Sequence, residues 1–250
     1  MTDLSKITKN NKAFFLAYDQ GLEHGPSDFN DENADPEYIV KLADSGYFSG
    51  VIFQKGIAEK YYDTTKHTCP LIVKLNGKTT LQSGEPYAPR LCSVEEALDL
   101  GASAVGYTIY PGSTFQETMM NDFSFVEETA RKHNIPVILW MYPRGKKVEG
   151  KETSKEVSIY AARIGLELGA DLLKMHYPDD ESVFAEMVHV AGKAGILISG
   201  GARESDEALY SLAKKTIEQK AAGWAVGRNI WQSENALERA EKLSEIIFDI

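Results

Sequence analysis

Residues 166–177 read LELGADLLKMHY. The first part is the end of an amphipathic helix. Gly169 stops it, because glycine adopts the left-handed backbone that commonly closes a helix. The run that follows, residues 171–175 (DLLKM), is too short for a helix of its own. It is apolar on both alternating faces, the pattern of a strand buried on both sides. A second hinge of the same kind, LDLGASAV, occupies residues 98–105. We read the recurrence as the ordinary helix-to-strand turn of an alternating fold rather than as a trace of gene duplication.

The same unit extends outward in both directions. Short apolar runs lie at residues 13–18 (AFFLAY), 50–54 (GVIFQ), 71–75 (LIVKL), 102–108 (ASAVGYT), 136–141 (PVILWM), 195–199 (GILIS) and 223–226 (GWAV). With 171–175 they make eight predicted strands. Helices are predicted over 36–44, 56–63, 93–100, 114–133, 154–168, 180–192, 206–221 and 234–247. The second, at about two turns, is the short one. Pro36 stands at a first-turn position, where its missing N–H costs nothing. Ser93-x-x-Glu96 is a capping box. Strands that alternate with helices pair in parallel, since parallel neighbours need long crossovers. A closed barrel and an open doubly wound sheet both satisfy that rule. The count of eight, and the absence of GxGxxG after the first strand, favour a (β/α)8 TIM barrel of the α/β class. About 250 residues is the usual size of one such barrel, and no Pro/Gly/Ser-rich linker divides the chain, so one domain over residues 1–250 is expected.

Composition narrows the chemistry. The chain has 27 Lys+Arg against 37 Asp+Glu, a net charge of −10. That balance disfavours a nucleic-acid partner, which needs clustered cations, but it leaves room for a small phosphorylated ligand held by a few local donors. Cys69 and Cys92 show no CxxC spacing and read as reduced thiols. The polar N-terminus has no apolar core of a signal peptide, and no apolar run nears the roughly 20 residues of a membrane span. A cytoplasmic protein without a membrane partner is expected. The five histidines form no HxH or HExxH pattern, so neither a metal nor another cofactor is expected.

In such barrels chemistry sits at the C-terminal ends of the strands. Strand one ends in Asp19, with His24 close behind. Strand five ends in Trp140, Tyr142 and Arg144. Strand six carries Lys174, followed by His176. Strands seven and eight end in Ser199-Gly200-Gly201 and Gly227-Arg228. A lysine inside a doubly buried strand loses its charge more easily, and a neutral amine can attack a ketone. The competing reading is a lysine that snorkels to solvent. Lys74 lies in an equivalent run, so pattern alone leaves the two lysines unresolved; Lys55 and Lys78 fall at loop positions. The two Gly-rich ends suit a phosphate, because glycine lets backbone N–H groups approach closely and Arg228 adds a fork of donors. Two ordinary turns and a surface arginine would look similar. Asp19 is an acid/base candidate or a turn cap. Tyr142, in phase with Trp140, is an acid/base candidate or a packing residue. His67, His133 and His189 are expected at the surface.

The segment AYDQGLEHGPSDF at residues 17–29 resembles the AYDHGxEHGP signature of the archaeal-type class I fructose-bisphosphate aldolases, the DhnA family. FQKGIAEKYYD at 53–63, VKLNGKTTL at 73–81, VGYTIYPGS at 105–113, WMYPRG at 140–145, ISGG at 198–201 and AVGRNIWQ at 225–232 resemble it too, in order along nearly the whole chain. The resemblance implies a Schiff-base enzyme that cleaves fructose 1,6-bisphosphate reversibly to dihydroxyacetone phosphate and glyceraldehyde 3-phosphate, and so serves glycolysis and gluconeogenesis. It makes Lys174 the Schiff-base lysine, Tyr142 the acid/base, Asp19 the catalytic aspartate and Trp140 a substrate neighbour. Ser199, Gly200, Gly201, Gly227 and Arg228 match the site for the dihydroxyacetone phosphate group, and His24 and Arg144 the other phosphate. It also implies a homo-oligomer, often a decamer of pentameric rings. Gln20 departs from the signature, which has His there. The rivals are a related Schiff-base enzyme that makes an aminodideoxyheptulosonate, and a catalytically silent barrel, which would be expected to have lost Lys174 or Tyr142 first.

Overall fold

The computed structural model describes residues 2–201, 203 and 205–250. Eight parallel strands close into a barrel in sequence order: β1 (Ala13–Ala17), β2 (Gly50–Gln54), β3 (Leu71–Lys74), β4 (Ala104–Ile109), β5 (Val137–Met141), β6 (Leu172–Met175), β7 (Gly195–Ser199) and β8 (Gly223–Val226). Closure is made by β1 against β8, with Phe15 opposite Ala225. The helices are α1 (Gly21–His24), α2 (Pro36–Ala43), α3 (Lys55–Tyr61), α4 (Val94–Asp99), α5 (Gln116–Lys132), α6 (Lys155–Glu167), α7 (Ser182–Ala191), α8 (Asp206–Glu218), α9 (Arg228–Trp231) and α10 (Ala236–Phe248). The expected barrel is therefore the observed one, with boundaries shifted by a few residues.

Strand alternation splits the apolar residues into two layers. Phe14, Leu16, Val51, Phe53, Val105 and Leu139 face outward into the shell beneath the helices. Phe15, Ile52, Ile72, Ile138, Leu172 and Leu197 fill the barrel interior. The predicted capping box is real: the Ser93 hydroxyl accepts from the Glu96 N–H at 3.0 Å.

Two features were not legible as elements. The segments 21–24 and 228–231, for which no helix was expected, form the single-turn helices α1 and α9. The N-terminal stretch, read only for its polarity, makes a 3-10 turn, Ser5–Ile7, that delivers a fully buried Ile7 into the interior layer. Ile7 shares that layer with Ala13, where β1 begins, at the end of the barrel away from the strand C-termini.

Candidate active site

The interior alternation that stacks Ile72, Leu172, Ile138 and Ala17 continues one step further along each strand. That step brings Lys74, Lys174, Trp140 and Asp19 to the top of the barrel core. One more step brings His176 and Tyr142. The sequence period of two thus aims residues from four strands, β1, β3, β5 and β6, into one cavity. All eleven residues singled out from the sequence line it: Asp19, His24, Trp140, Tyr142, Arg144, Lys174, Ser199, Gly200, Gly201, Gly227 and Arg228.

Trp140 forms the floor. Its indole lies between two amines, with Lys74 Nζ 4.8 Å and Lys174 Nζ 5.0 Å from a ring centroid. The ring fits because β4 carries Gly106 beside it; a Cβ there would fall 2.3 Å from Trp140 Cζ3.

The geometry separates the two lysines that pattern alone left equal. Both are buried, Lys74 at 6% exposure and Lys174 at 5%. Lys74 Nζ donates to Asp19 Oδ2 at 3.3 Å, so its charge is matched by an ion pair. Among the described residues, Lys174 has no ion pair of that kind. Burial pulls its amine down to about 8, although the Asp19 charge holds it up, and the Lys74 charge lowers it further. An amine in that range is neutral in useful proportion near physiological pH, which is the condition for attack on a carbonyl. Burial by itself would raise the Asp19 carboxyl; the charges of Lys174 and then Lys74 outweigh it and hold it below the usual carboxylate range.

Tyr142 lies beside this pair. Burial, reinforced by the Asp19 charge, pushes its phenol well above the ordinary range, while a hydrogen bond with the Ser199 hydroxyl acts the other way. The His176 ring stacks on Tyr142 at 4.5 Å and 18°. His176 Nδ1 is 3.0 Å from Ser199 Oγ. Burial and the charges of Arg144 and Lys174 lower His176 to about 4, so its ring is neutral at pH 7.

Two polar clusters flank the lysine on opposite sides of the barrel. On the β7–β8 side, Gly200 and Gly201 face Arg228. Gly201 has φ +59°, and a Cβ there would meet nothing within 4 Å. A Cβ on Gly227 would fall 2.6 Å from the Ala17 carbonyl oxygen, so this turn accepts only glycine without adjustment. Asn229 Nδ2 donates to the Gly200 carbonyl at 2.6 Å. Arg228 is held by two long contacts, 3.5 Å to Asp28 Oδ2 and 3.5 Å to the Gly201 carbonyl. On the β3–β5 side, Arg144 pairs with Glu23, and Lys78 Nζ is 3.6 Å from the same carboxylate. Tyr110 donates to the other Glu23 oxygen at 3.3 Å.

The resemblance grouped His24 with Arg144. The structure gives His24 a different neighbour: its Nδ1 is 2.9 Å from Asp28, the carboxylate that also takes Arg228. Lys78, expected as a loop residue, is in the cavity wall, whereas Lys55 begins α3 and pairs with Glu96 at the surface. His133 and His189 are exposed as expected; His67 is half-buried against Asp44. Sequence reasoning assigned no role to Glu23, Tyr110, His176 or Asn229. For His176 a signal existed, since it is two residues beyond Lys174 and so on the same strand face. For Glu23 and Tyr110 none did, because their meeting depends on how separate loops fold over the barrel mouth.

A family model described as DeoC/LacD family aldolase matches residues 13–233. The chain is 51% identical over 245 residues to a protein of Thermoproteus tenax named fructose-bisphosphate aldolase class 1, covering 97% of this chain and 92% of that one. A crystal structure of an archaeal fructose 1,6-bisphosphate aldolase superposes with a TM-score of 0.93 at 50% identity, over 99% of this chain and 98% of the other. A further archaeal fructose-1,6-bisphosphate aldolase, solved with its catalytic lysine covalently bound to the carbinolamine intermediate of the substrate, superposes with a TM-score of 0.93 at 49% identity, over 98% of this chain and 97% of that one.

Proposed function

The chain belongs to the DeoC/LacD family of aldolases, and from that premise we propose that it is a class I fructose-bisphosphate aldolase whose Schiff base forms on Lys174. The observation that carries the assignment of the lysine is its burial without an ion pair. Lys74, equally buried, is ion-paired with Asp19 at 3.3 Å; among the described residues Lys174 has no such pair, and burial lowers its amine to about 8 against the pull of the Asp19 charge. The solved relative with its lysine bonded to a carbinolamine supports the same chemistry here.

The two flanking clusters support a substrate with an anion at each end. One phosphate rests on the Gly200–Gly201 turn and Arg228, where charged forks and backbone N–H groups suit it. The other rests near Arg144 and Lys78, now held by Glu23. The ketose carbonyl between them lies against Lys174. Neutral Lys174 adds to C2, and loss of water gives an iminium. Asp19, charged and 8% exposed, moves protons during that step. Tyr142 takes the C4 hydroxyl proton as the C3–C4 bond breaks. Its electrons pass into the iminium, giving an enamine and free glyceraldehyde 3-phosphate. Protonation at C3 and hydrolysis release dihydroxyacetone phosphate.

The reading extends to a homo-oligomeric protein of the cytoplasm. Exposed Tyr87, Leu91 and Phe115 offer apolar surface that a second copy would cover. Among the described residues no helix is long and apolar enough to cross a membrane.

The test is borohydride reduction in the presence of dihydroxyacetone phosphate, followed by mass spectrometry. One adduct per chain on Lys174 is expected. An adduct on Lys74, or none, would sink the assignment.

A further inference from the structure

Tyr142 presents a problem that its position alone does not solve. To receive the C4 hydroxyl proton, a phenol pushed well above its ordinary range must give up its own proton in the same event. Free tyrosinate is not available for that task beside the Asp19 charge. The structure supplies an exit. The Ser199 hydroxyl is close enough to the Tyr142 phenol to pull its pKa down against burial and the Asp19 charge. Ser199 Oγ is 3.0 Å from His176 Nδ1. The His176 ring is stacked on Tyr142 at 4.5 Å, which fixes all three groups relative to one another. They come from the ends of β5, β7 and β6, three adjacent strands of the barrel.

We propose that Tyr142, Ser199 and His176 form a proton relay in which His176 Nδ1 stores the proton taken from the C4 hydroxyl and returns it to C3 of the enamine. This rests on the aldolase reading given above. On cleavage the C4 hydroxyl proton moves to Tyr142 Oη, the phenol proton to Ser199 Oγ, and the serine proton to Nδ1. The C3–C4 electron pair passes into the iminium. The positive charge thereby leaves the Lys174 nitrogen and appears on the imidazole, so the net charge of the cavity is unchanged. The return transfer runs the same chain backward: C3 gains a proton, the iminium is restored, and His176 is neutral again.

The electrostatics match this order. Burial disfavours a charged His176 most in the resting site, then the Arg144 charge, then the Lys174 charge. Cleavage converts the cationic iminium into a neutral enamine, so the last of these is removed as the proton arrives. A neutral imidazole with Nδ1 accepting fits the Ser199 contact, since the serine hydroxyl then accepts from Tyr142 and donates to the ring.

The test separates the relay from stacking and from simple hydrogen bonding. His176→Phe keeps a ring against Tyr142 but has no acceptor. His176→Asn keeps an acceptor but cannot store a proton. Ser199→Ala cuts the chain in the middle. Each full-length variant is assayed for exchange of the C3 proton of dihydroxyacetone phosphate and for the borohydride-trapped adduct. The relay requires His176→Phe and His176→Asn to trap the Lys174 adduct as the unmodified chain does, and Ser199→Ala, whose residue also lines the phosphate site, to trap it at saturating dihydroxyacetone phosphate. It also requires all three to slow C3 exchange by about 10²-fold or more, in the range of a positioned acid/base, and His176→Phe/Ser199→Ala to be no slower than either single change. Exchange at the unmodified rate in any one single variant overturns the relay, as do losses that multiply in the double variant. Failure of the unmodified chain to form an adduct would count against the aldolase reading itself, and so is distinguishable.

Discussion

At the scale of the residue, the site sets two opposite charges, Asp19 and Lys74, beside the one buried amine of Lys174. At pH 7 roughly one Lys174 in ten is neutral with its amine at about 8, against fewer than about one in a thousand for an ordinary lysine. The rate of adduct formation with dihydroxyacetone phosphate should therefore climb through about pH 8 and then level off. The neighbours set where that climb occurs, and their signs are opposite. Asp19 holds the Lys174 amine up, so Asp19→Asn should move the midpoint to lower pH. Lys74 presses it down, so Lys74→Met should move it to higher pH. Midpoints that shift in the same direction, measured by trapping at a series of pH values, would break this account. The same shift is linked to stability. Between about pH 8 and 10.5 the unfolded chain keeps a proton on Lys174 that the folded chain has lost, so this residue's contribution to stability rises with pH across that window. Tyr142 has a separate role. Tyr142→Phe keeps the ring stacked on His176 and should still yield the trapped adduct, while cleavage falls by about 10²- to 10⁴-fold. Lys174→Ala should abolish both. Cleavage near the normal rate in Tyr142→Phe would shift the acid/base role to Asp19.

At the scale of the element, function depends on turns and on one glycine in a strand. The β8–α9 junction carries Arg228 at the head of a single helical turn. Arg228→Ala should raise the KM for fructose 1,6-bisphosphate and weaken dihydroxyacetone phosphate binding about 10- to 100-fold, the usual worth of a charged forked contact. Calorimetric titration with unchanged affinity would locate the phosphate elsewhere. Within β4, Gly106 leaves the space that Trp140 fills. Gly106→Ala would force the indole from its place between Lys74 and Lys174, since the added carbon meets Cζ3 at 2.3 Å. Overpacking of this kind costs about 1–3 kcal/mol. A lower melting temperature together with a reduced kcat is expected, and a chain with native stability and rate would show that the ring is not held there. The 3-10 turn at the N-terminus is a contrasting case. Ile7 is fully buried among interior residues, yet the catalytic groups lie at the opposite end of the strands. Ile7→Ala should cost about 2–5 kcal/mol in denaturant unfolding and leave KM nearly unaltered.

At the scale of the whole molecule, the barrel gathers groups from almost every strand end around one carbonyl-sized space. The electron pair released by C–C cleavage has a sink in the iminium on Lys174, so no Lewis acid is required for that step. Among the described residues, no group of three or more His, Cys, Asp or Glu is placed to hold a metal ion. Aldol cleavage in excess EDTA should proceed at the rate measured without it, and loss that zinc restores would replace the Schiff-base mechanism with a metal-dependent one. Arg239, 8% exposed, ties the last helix to the site: it pairs with Asp206 and donates to the Asn229 carbonyl at 2.7 Å, and Asn229 in turn holds Gly200.

What the sequence determined by itself is whatever rests on local period and local backbone. Eight short runs buried on both faces, each followed by a helical stretch, require parallel strands, and their number together with the absence of GxGxxG favours closure into a barrel. The strand-end rule then places Lys174, Tyr142, Asp19 and the two Gly-rich turns in one cavity, because side chains two apart along a strand share a face. What only the tertiary structure decided depends on groups far apart in the chain. Lys74 and Lys174 are equivalent by pattern; they differ because Asp19, 55 residues before Lys74, pairs with Lys74, while Lys174 has no ion pair among the described residues. His24 is grouped with Arg144 by the motif, and the folded loop also sets it against Asp28, the carboxylate that takes Arg228. The polar N-terminus closes the barrel interior with Ile7, a contact that one isoleucine in a charged stretch does not announce. The physical reason is common to these cases. Burial is written in the local pattern of apolar residues, but the partner that a buried charge or ring finds is set by loops and strands that meet only when the barrel closes.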